Sequence, residues 1–531
     1  MAEEAPKAAA GAGRGVLYIA FAKFYFMLSG LILQVRLPAL LSRAVFGAYG
    51  TVASVVSPLN NVMVTGSIQA VSRFTAQKPE TARAIERAGL RMHLFVGLPI
   101  AILFIAAAPV VAWFFHDPSK VGPLMLSGCI VGGYAFYAIL VGTANGNRQF
   151  HKQAGLDITF STMRVGAMLT LAMLGLGVIG VFAGWVAAVG AILVIATFWV
   201  GTPGKIAKAD EHPVKPMLGY FLRVAIYLSL FNVLMFVDTW LLKRLTSEWY
   251  DGHAAVLGGA LDRMPWARQV SGFHYDSAQL ADVQVAYYTA VQTLARLSYQ
   301  AIIAATFVVF PLVSRSTFDA DHDTTRRYIH VTMRYSLMFS TAIAVVMAAN
   351  PEPLLRIVYP GDYAVLGAPA LAALALGNVA FSVFAISGTI LNGAGHTREA
   401  IITAAFTLVL AVVGNVIVIP RLDPGQDVLL GAAIVTGSAM LVGACATGWA
   451  LHRTLGAFVP ILSVARVALA TLAAIGAGRV IPFETPLMSL VEAAMVGVVF
   501  LAVLIVTGEL GKKDLSAIAA VRKKRGTGEE A

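Results

Sequence analysis

Apolar runs of about twenty residues, each closed by a short polar break, follow one another along almost the whole chain. That is the length a helix needs to cross the hydrocarbon of a bilayer. The pattern predicts membrane helices over 16–37, 47–72, 91–115, 121–145, 155–177, 178–201, 217–242, 285–312, 329–349, 366–391, 399–420, 428–451, 460–481 and 487–508, fourteen in all. The opening stretch MAEEAPKAAAGAGRG is polar, and the apolar run after it is interrupted by Lys23 and lacks a small-x-small cleavage site. It reads as a first helix that is retained, not as a removed signal peptide. One break is long: residues 246–284 form a polar insert.

Composition sharpens this picture. The chain of 531 residues is 58% hydrophobic and 13% charged, with a mean hydropathy of +0.76, where a soluble domain carries about 25% charged residues. So much apolar surface cannot be hidden from water, and most of it faces lipid. The fold class expected is an all-α polytopic membrane protein. Cys129 and Cys445 lie far apart in apolar runs, where they form neither a disulfide framework nor a thiolate metal site and read as small core residues.

Charge gives the orientation, because positive loops stay in the cytoplasm. With the N-terminus inside, the cytoplasmic segments and their flanks hold 25 of the 39 Lys and Arg, the opposite side 10, and helices the remaining 4. Both termini are expected in the cytoplasm. The net charge of +11 is spread over short loops, so no nucleic-acid partner is implied. The basic tail KKDLSAIAAVRKKRG is a topology anchor that can also touch anionic head groups.

The chain also repeats itself. LVGTANGNRQFHK, from Leu140, and ISGTILNGAGHTR, from Ile386, share a grammar, and their Asn-Gly pairs lie 247 residues apart. PVVAWFFHDP from Pro109 parallels PLLRIVYPGD from Pro353, 244 on; Val71–Arg73 parallels Val313–Arg315, 242 on; and Tyr49 in GAYGTV parallels Tyr287 in VAYYTA, 238 on. Helix 1 aligns with helix 7 at an offset near 202, and the shortfall is the insert from Thr246 to Gln284. Helices 1–6 therefore repeat as helices 7–12, and helices 13–14 are added. The expected organisation is a tail at 1–15, a six-helix half at 16–212, a second half at 213–456 containing the insert 246–284, helices 13–14 at 457–511, and a basic tail at 512–531. Both halves start in the cytoplasm, so they are parallel repeats, the plan of alternating-access transporters whose halves rock around a central site.

At this point the sequence resembles a known family. LLSRAVFGAYGTVASVV and TGSIQAVSRFTAQ resemble the opening helices of the multidrug/oligosaccharidyl-lipid/polysaccharide (MOP) flippase superfamily, and LLRIVYPGDYAVLGAPALAALALG with SGTILNGAGHTREA resembles its tenth-helix region. The likeness covers nearly the whole chain. Fourteen helices in a 6+6+2 plan look like its Wzx-type oligosaccharide flippases and the related MurJ-type lipid II flippases. The multidrug (MATE) branch usually has twelve, and the insert departs from the usual short loop. The resemblance implies a secondary-type transporter of a bacterial cytoplasmic (inner) membrane, without catalytic residues, cofactor or metal. It would flip a polyprenyl-diphosphate-linked oligosaccharide outward during polysaccharide, O-antigen or capsule export, driven by an ion gradient or the membrane potential. Partners implied are that cargo, membrane lipids and other polysaccharide export proteins.

Such a cargo is anionic at its diphosphate and strongly hydrated at its sugars, so a cavity must offer cations, amides and phenols in place of water. Arg suits phosphate through its bidentate fork. Tyr288, Gln292, Arg296 and Gln300 recur every four residues of helix 8, on one face. Arg296 falls near mid-helix, where facing lipid costs roughly 2.5–3.5 kcal/mol on insertion scales. Helix 2 carries Asn61, Thr65, Gln69 and Arg73, the last close enough to the cytoplasm to be an anchor, and helix 1 sets Lys23, Gly30 and Gln34 on roughly one face. Lys23 can equally snorkel to the inner surface. Arg164 lies deep in helix 5, where an interhelical bond competes with cargo contact. Asp238 is a candidate for ion coupling, with pairing to Lys243 or Arg244 as the plainer alternative. Arg466 and Glu492 in the added helices either line a lipid-tail groove or face helix neighbours.

Enzyme motifs are weak. No G-x-x-x-x-G-K-[ST] loop occurs, so ATP is not the direct drive. Asp319, Asp321 and Asp323 imitate a calcium loop, but Thr324 and His330 stand where Gly and Glu are required; a helix cap paired with Arg326 and Arg327 fits better. The insert gathers His253, His274, Arg263, Arg268, Trp249 and Trp266 outside the membrane. That keeps a membrane-embedded O-antigen-type polymerase or ligase as an alternative, beside a MATE-like drug exporter. The parallel repeat argues for rocking halves and against the enzyme.

Overall fold

The computed structural model describes residues 4–204, 212–253, 276–300, 322–480 and 486–511, and every regular element among them is helical. In chain order these are α1 (Glu4–Leu40), α2 (Arg43–Gln77), α3 (Ala82–Phe95), α4 (Gly97–Phe114), α5 (Val121–Gly146), α6 (Phe150–Met173), α7 (Gly177–Val200), α8 (Val214–Leu234) and α9 (Val237–Gly252). Then come α10 (Ser277–Ala295), α11 (His322–Ala349), α12 (Pro351–Val358), α13 (Gly361–Gly393), α14 (Thr397–Val418), α15 (Gln426–Leu455), α16 (Ile461–Val480) and α17 (Pro486–Val506).

Eleven helical stretches are long and apolar enough to cross a membrane. The other three expected spans fall on α2, α6 and α10. Polar residues inside α2 and α6, such as Asn61, Gln69, Asp157 and Arg164, lower their apolarity, while the window 285–312 leaves the described residues after 300. The chain is thus a polytopic all-α membrane protein.

Several boundaries differ from the sequence reading. The third span is two helices meeting at Val96, the seventh is broken at Met235–Phe236, and α10 ends at Ala295 with a turn at Arg296 before helix resumes over 297–300. Pro99 follows the first break and lacks the N–H that would close onto Phe95, a signal the sequence reading passed over; the other two breaks contain no proline. The ends of the insert are helical, being the last turns of α9 and the first of α10; residues 254–275, with Arg263, Trp266, Arg268 and His274, lie outside the described residues, as do Asp319 and Asp321. Cys129 and Cys445 are exposed, not core; on a chain solvated by lipid an apolar thiol has no reason to be inside.

The chain forms two compact units, Met1–Ala290 with Leu408–Ala432, and Val291–Thr407 with Ala433–Ala531. In the first, α2 packs along α5 and α8, α1 along α6, and α4 and α7 cover α5. Gly47 of α2 lies so close to α10 that a Cβ there would stand 1.7 Å from the Asp282 carbonyl oxygen. In the second unit α11 packs on α13, α16 and α17. Arg466 pairs with the buried Glu509 at 3.2 Å, and Arg334 meets the same carboxylate at 2.9 Å, fastening the added helices to α11.

The two Asn-Gly passages close their helices alike. At the end of α5 the N–H of Gln149 donates to Ala144 O at 2.8 Å around Arg148 at φ +58°, and at the end of α13 that of His396 donates to Leu391 O at 2.8 Å around Gly395 at φ +89°. Both are six-to-one closures through a left-handed residue, 247 residues apart, and each leads directly into the next helix.

Candidate functional site

Within the first unit α1 and α6 carry three of the sequence-predicted residues, with Lys23 and Arg164 along the seam between the two helices and Gln34 further along α1. Lys23 donates to Asp157 at 2.8 Å. Tyr25 and Thr162 share a hydrogen bond of 2.7 Å, and Ser29 and Ser161 share another, so the two helices are laced along one seam. One turn deeper, Arg164 lies among aromatic faces, 4.7 Å from the Phe26 ring centroid and 5.7 Å from those of Phe160 and Trp185. Gln34 donates to the Tyr49 hydroxyl at 3.4 Å, and Trp185 donates to the Tyr134 hydroxyl at 3.3 Å.

Arg164 has no carboxylate partner among the described residues, and its Nε is buried without a hydrogen bond. Ring faces hold the guanidinium by cation–π attraction and the Tyr134 hydroxyl shares a hydrogen bond with it, so it has polar and aromatic neighbours but no opposite charge among the described residues. The seam between α1 and α6 therefore carries one cation neutralised by a carboxylate, Lys23, and one that is not, Arg164.

The helix 2 residues run along the seam with α8. Asn61 donates to Asn232 at 2.8 Å and accepts from Thr65 at 2.7 Å; Gln69 is exposed, and the Arg73 guanidinium stands 4.6 Å over the Tyr220 ring. The helix 8 residues behave differently. Tyr288 is fully buried and donates to Asp238 at 2.7 Å; Asp238 also accepts from the Thr239 N–H at 2.7 Å. In the second unit Gln292 is buried and accepts from Arg296 at 3.2 Å, while Arg296 and Gln300 are half-buried. The break at Arg296 interrupts the single face expected of this stripe.

The structure also holds a cluster that the sequence reading did not single out. His116, at φ +52°, turns the chain after α4 so that the Asp117 N–H closes back on Ala112 O at 3.0 Å. Asp117 then accepts from Ser119 N at 3.1 Å and from Lys120 at 2.5 Å. Lys120 reaches Asp282 at 2.6 Å, Lys243 reaches Asp282 at 3.0 Å and Asp117 at 3.1 Å, and the four side chains close a ring with none more than 5% exposed. Thr51 of α2 adds a bond to Asp282 at 3.4 Å, and Lys243 donates to Ala278 O at 2.6 Å. Burial alone would raise the Asp117 carboxyl, but the ammonium groups of Lys120 and Lys243 outweigh it and hold the group below the usual carboxylate range.

Lys120 and Lys243 read as loop charges because each stands at the margin of an apolar run. The available signal was Asp117 three residues before Lys120, a spacing that lets the two meet. Asp157 was missed too, although it sits seven residues before Arg164 on the same helix face.

Residues 37–244 match the family described as polysaccharide biosynthesis protein, and residues 277–417 match the MatE family. No curated protein sequence matches the chain. Among solved structures it is similar to the lipid II flippase MurJ in an inward closed conformation, with a TM-score of 0.70 at 13% identity over 93% of this chain and 99% of that one. It is also similar to a MATE protein in a straight conformation, 0.59 at 13% identity over 84% and 96%. An inward-facing multidrug resistance MATE family transporter of the MOP superfamily gives 0.56 at 17% identity over 81% and 96%. The resemblance to the MOP superfamily read from the sequence holds in both parts of the chain, and the fold is one shared by a flippase and by multidrug transporters.

Proposed function

We propose that the chain is a flippase that moves a polyprenyl-diphosphate-linked oligosaccharide from the inner to the outer leaflet of a bacterial cytoplasmic membrane by alternating access, with both termini in the cytoplasm. The observation that carries this reading is Arg164: an unneutralised cation in an aromatic wall of a membrane helix, in a fold shared with a lipid II flippase. A membrane protein keeps such a charge where an anion or water meets it.

In this reading 16–212 and 213–456 are the rocking halves, helices 13–14 at 457–511 are accessory, and 512–531 is a tail. Lys23, Gln34, Asn61, Gln69, Arg73, Arg164, Tyr288, Gln292, Arg296 and Gln300 would meet the cargo along its path. Arg164 and Arg296 would take phosphate oxygens by charge-assisted hydrogen bonds, and the amides and phenols would take sugar hydroxyls. The ring of Asp117, Lys120, Lys243 and Asp282 would close the outer end, because it ties a loop of the first half to helices of the second. Asp238, held by Tyr288, would be the ion-coupling carboxylate. Other polysaccharide export proteins would receive the flipped unit.

The test is the fate of lipid-linked glycan in cells lacking the protein, probed from outside with a membrane-impermeant sugar-oxidising label. Single repeat units that accumulate and escape the label support flipping. Single units fully exposed to the label point to a polymerase or ligase. An unchanged glycan profile points to the drug exporter that the MatE match at 277–417 keeps in view.

A further inference from the structure

Where α2 ends and α8 begins, the first unit has a cleft of about 640 Å³ lined by Arg73, Phe74, Lys215, Pro216, Tyr220 and Arg223 among others. Lys215, Gly219 and Arg223 recur every four residues of α8 and so share one face. Arg73 comes from the other wall and lies over the Tyr220 ring at 4.6 Å. Among the described residues, none of the three cations pairs with a carboxylate and no carboxylate lines the cleft. Gly219 lies between Lys215 and Arg223, and a Cβ there would meet nothing within 4 Å, so the space between the charges is open.

Topology alone would scatter basic residues over this end of the protein. It does not require three of them to line one cleft from two helices beside a tyrosine ring. Like charges held together repel unless water or an anion intervenes, so the arrangement favours a compact multivalent anion. The Arg73 fork and the two flanking cations suit phosphate oxygens, and Tyr220 adds a hydroxyl donor.

We propose that this cleft is a binding site for a phosphate or diphosphate group, and that its ligand is the diphosphate of an isoprenoid lipid, taken up before it enters the membrane path. The lipid-borne part rests on the flippase reading; the anion site does not. From Gly47, which touches the buried ion ring, to Arg73 is 26 residues of α2, roughly 39 Å of helix at 1.5 Å per residue. The cleft therefore lies at the opposite end of that span from the ring, on the side the charge count assigns to the cytoplasm.

The test uses the full-length protein in detergent micelles, with inorganic pyrophosphate and farnesyl diphosphate as probes and calorimetry as the readout. Three variants are compared: the triple R73Q/K215Q/R223Q; G219F, which fills the cleft without touching charge; and a control triple of exposed cations elsewhere, R148Q/R327Q/R398Q. We expect the first two to weaken pyrophosphate binding about tenfold or more, the scale of one lost charged hydrogen bond, and the control to leave it unchanged. Equal binding by wild type, the first triple and G219F overturns the site, and so does equal weakening by both triples, which would mean net charge alone. Tighter binding of farnesyl diphosphate than of pyrophosphate supports the lipid-borne ligand. Equal binding of the two overturns that part and leaves a free-phosphate site. The glycan-labelling assay is independent: a fully labelled profile in the deletion strain would remove the flippase reading and leave cleft-dependent pyrophosphate binding standing.

Discussion

At one end of α2, Lys120 and Lys243 lie buried and ringed by Asp117 and Asp282; at the other, Arg73, Lys215 and Arg223 stand exposed around Tyr220 with no carboxylate beside them among the described residues. Both groups are basic. They differ in burial, and burial decides what a charge can do. A charge removed from water costs several kcal/mol unless an opposite charge and hydrogen bonds replace its hydration. The ring has therefore recruited one carboxylate per ammonium and holds its elements together. The cleft cations remain hydrated, contribute little to stability, and are available to a ligand. Arg164 lies between these extremes, half-buried and met by ring faces and the Tyr134 hydroxyl, with no carboxylate partner among the described residues.

Breaking the ring should have the largest effect. Asp282→Ala leaves two buried ammonium groups sharing Asp117, and we expect a loss of about 3–5 kcal/mol. Thermal unfolding of the purified protein in micelles measures it; a change below about 1 kcal/mol, ordinary for a surface substitution, would mean the ring is not buried as described. Replacing all four ring residues with apolar ones of similar volume should restore much of that stability while freezing or abolishing transport.

Next comes Arg164. Arg164→Ala and Arg296→Ala should each lower export at least about tenfold while membrane levels stay normal, since each would remove charge-assisted bonds to cargo. Export rates in the labelling assay with immunoblotting of membranes check this. Full activity in either variant removes that residue from the path.

A smaller effect is expected from pH. Asp117 is held below its ordinary range in the folded state, so its stabilising contribution is complete above that range, near ~4 for an unfolded Asp, and is lost as pH falls through and below it. Melting temperature should therefore decline on acidification below about pH 4, and less steeply in Asp117→Asn. The smallest effect should come from the cleft: Arg73→Gln or Arg223→Gln should shift stability by no more than about 0.5 kcal/mol. A large loss there would make those cations structural and erase the contrast with the ring.

Much of this was legible in the residues. The apolar windows led to a polytopic helical protein, and the paired Asn-Gly passages to a turn used twice. Those features are local or periodic: twenty apolar residues must form a helix in lipid because every backbone group needs a partner there, and a left-handed closure is written in the few residues that make it. Lys23, Gln34 and Arg164 were also legible as charges or amides out of place in apolar helices.

Tertiary structure alone decided which charge meets which. Asp117 and Asp282 are 165 positions apart, Lys23 and Asp157 are 134, and Arg73 and Tyr220 are 147. Nothing in the spacing of such pairs records that they meet, because helix packing brings them together. The same holds for the breaks at Met235–Phe236 and Arg296, which no proline marks in the local sequence. A sequence can state that a buried charge needs a partner, since desolvation is a property of the residue; only the fold can supply the partner, since proximity is a property of the packing.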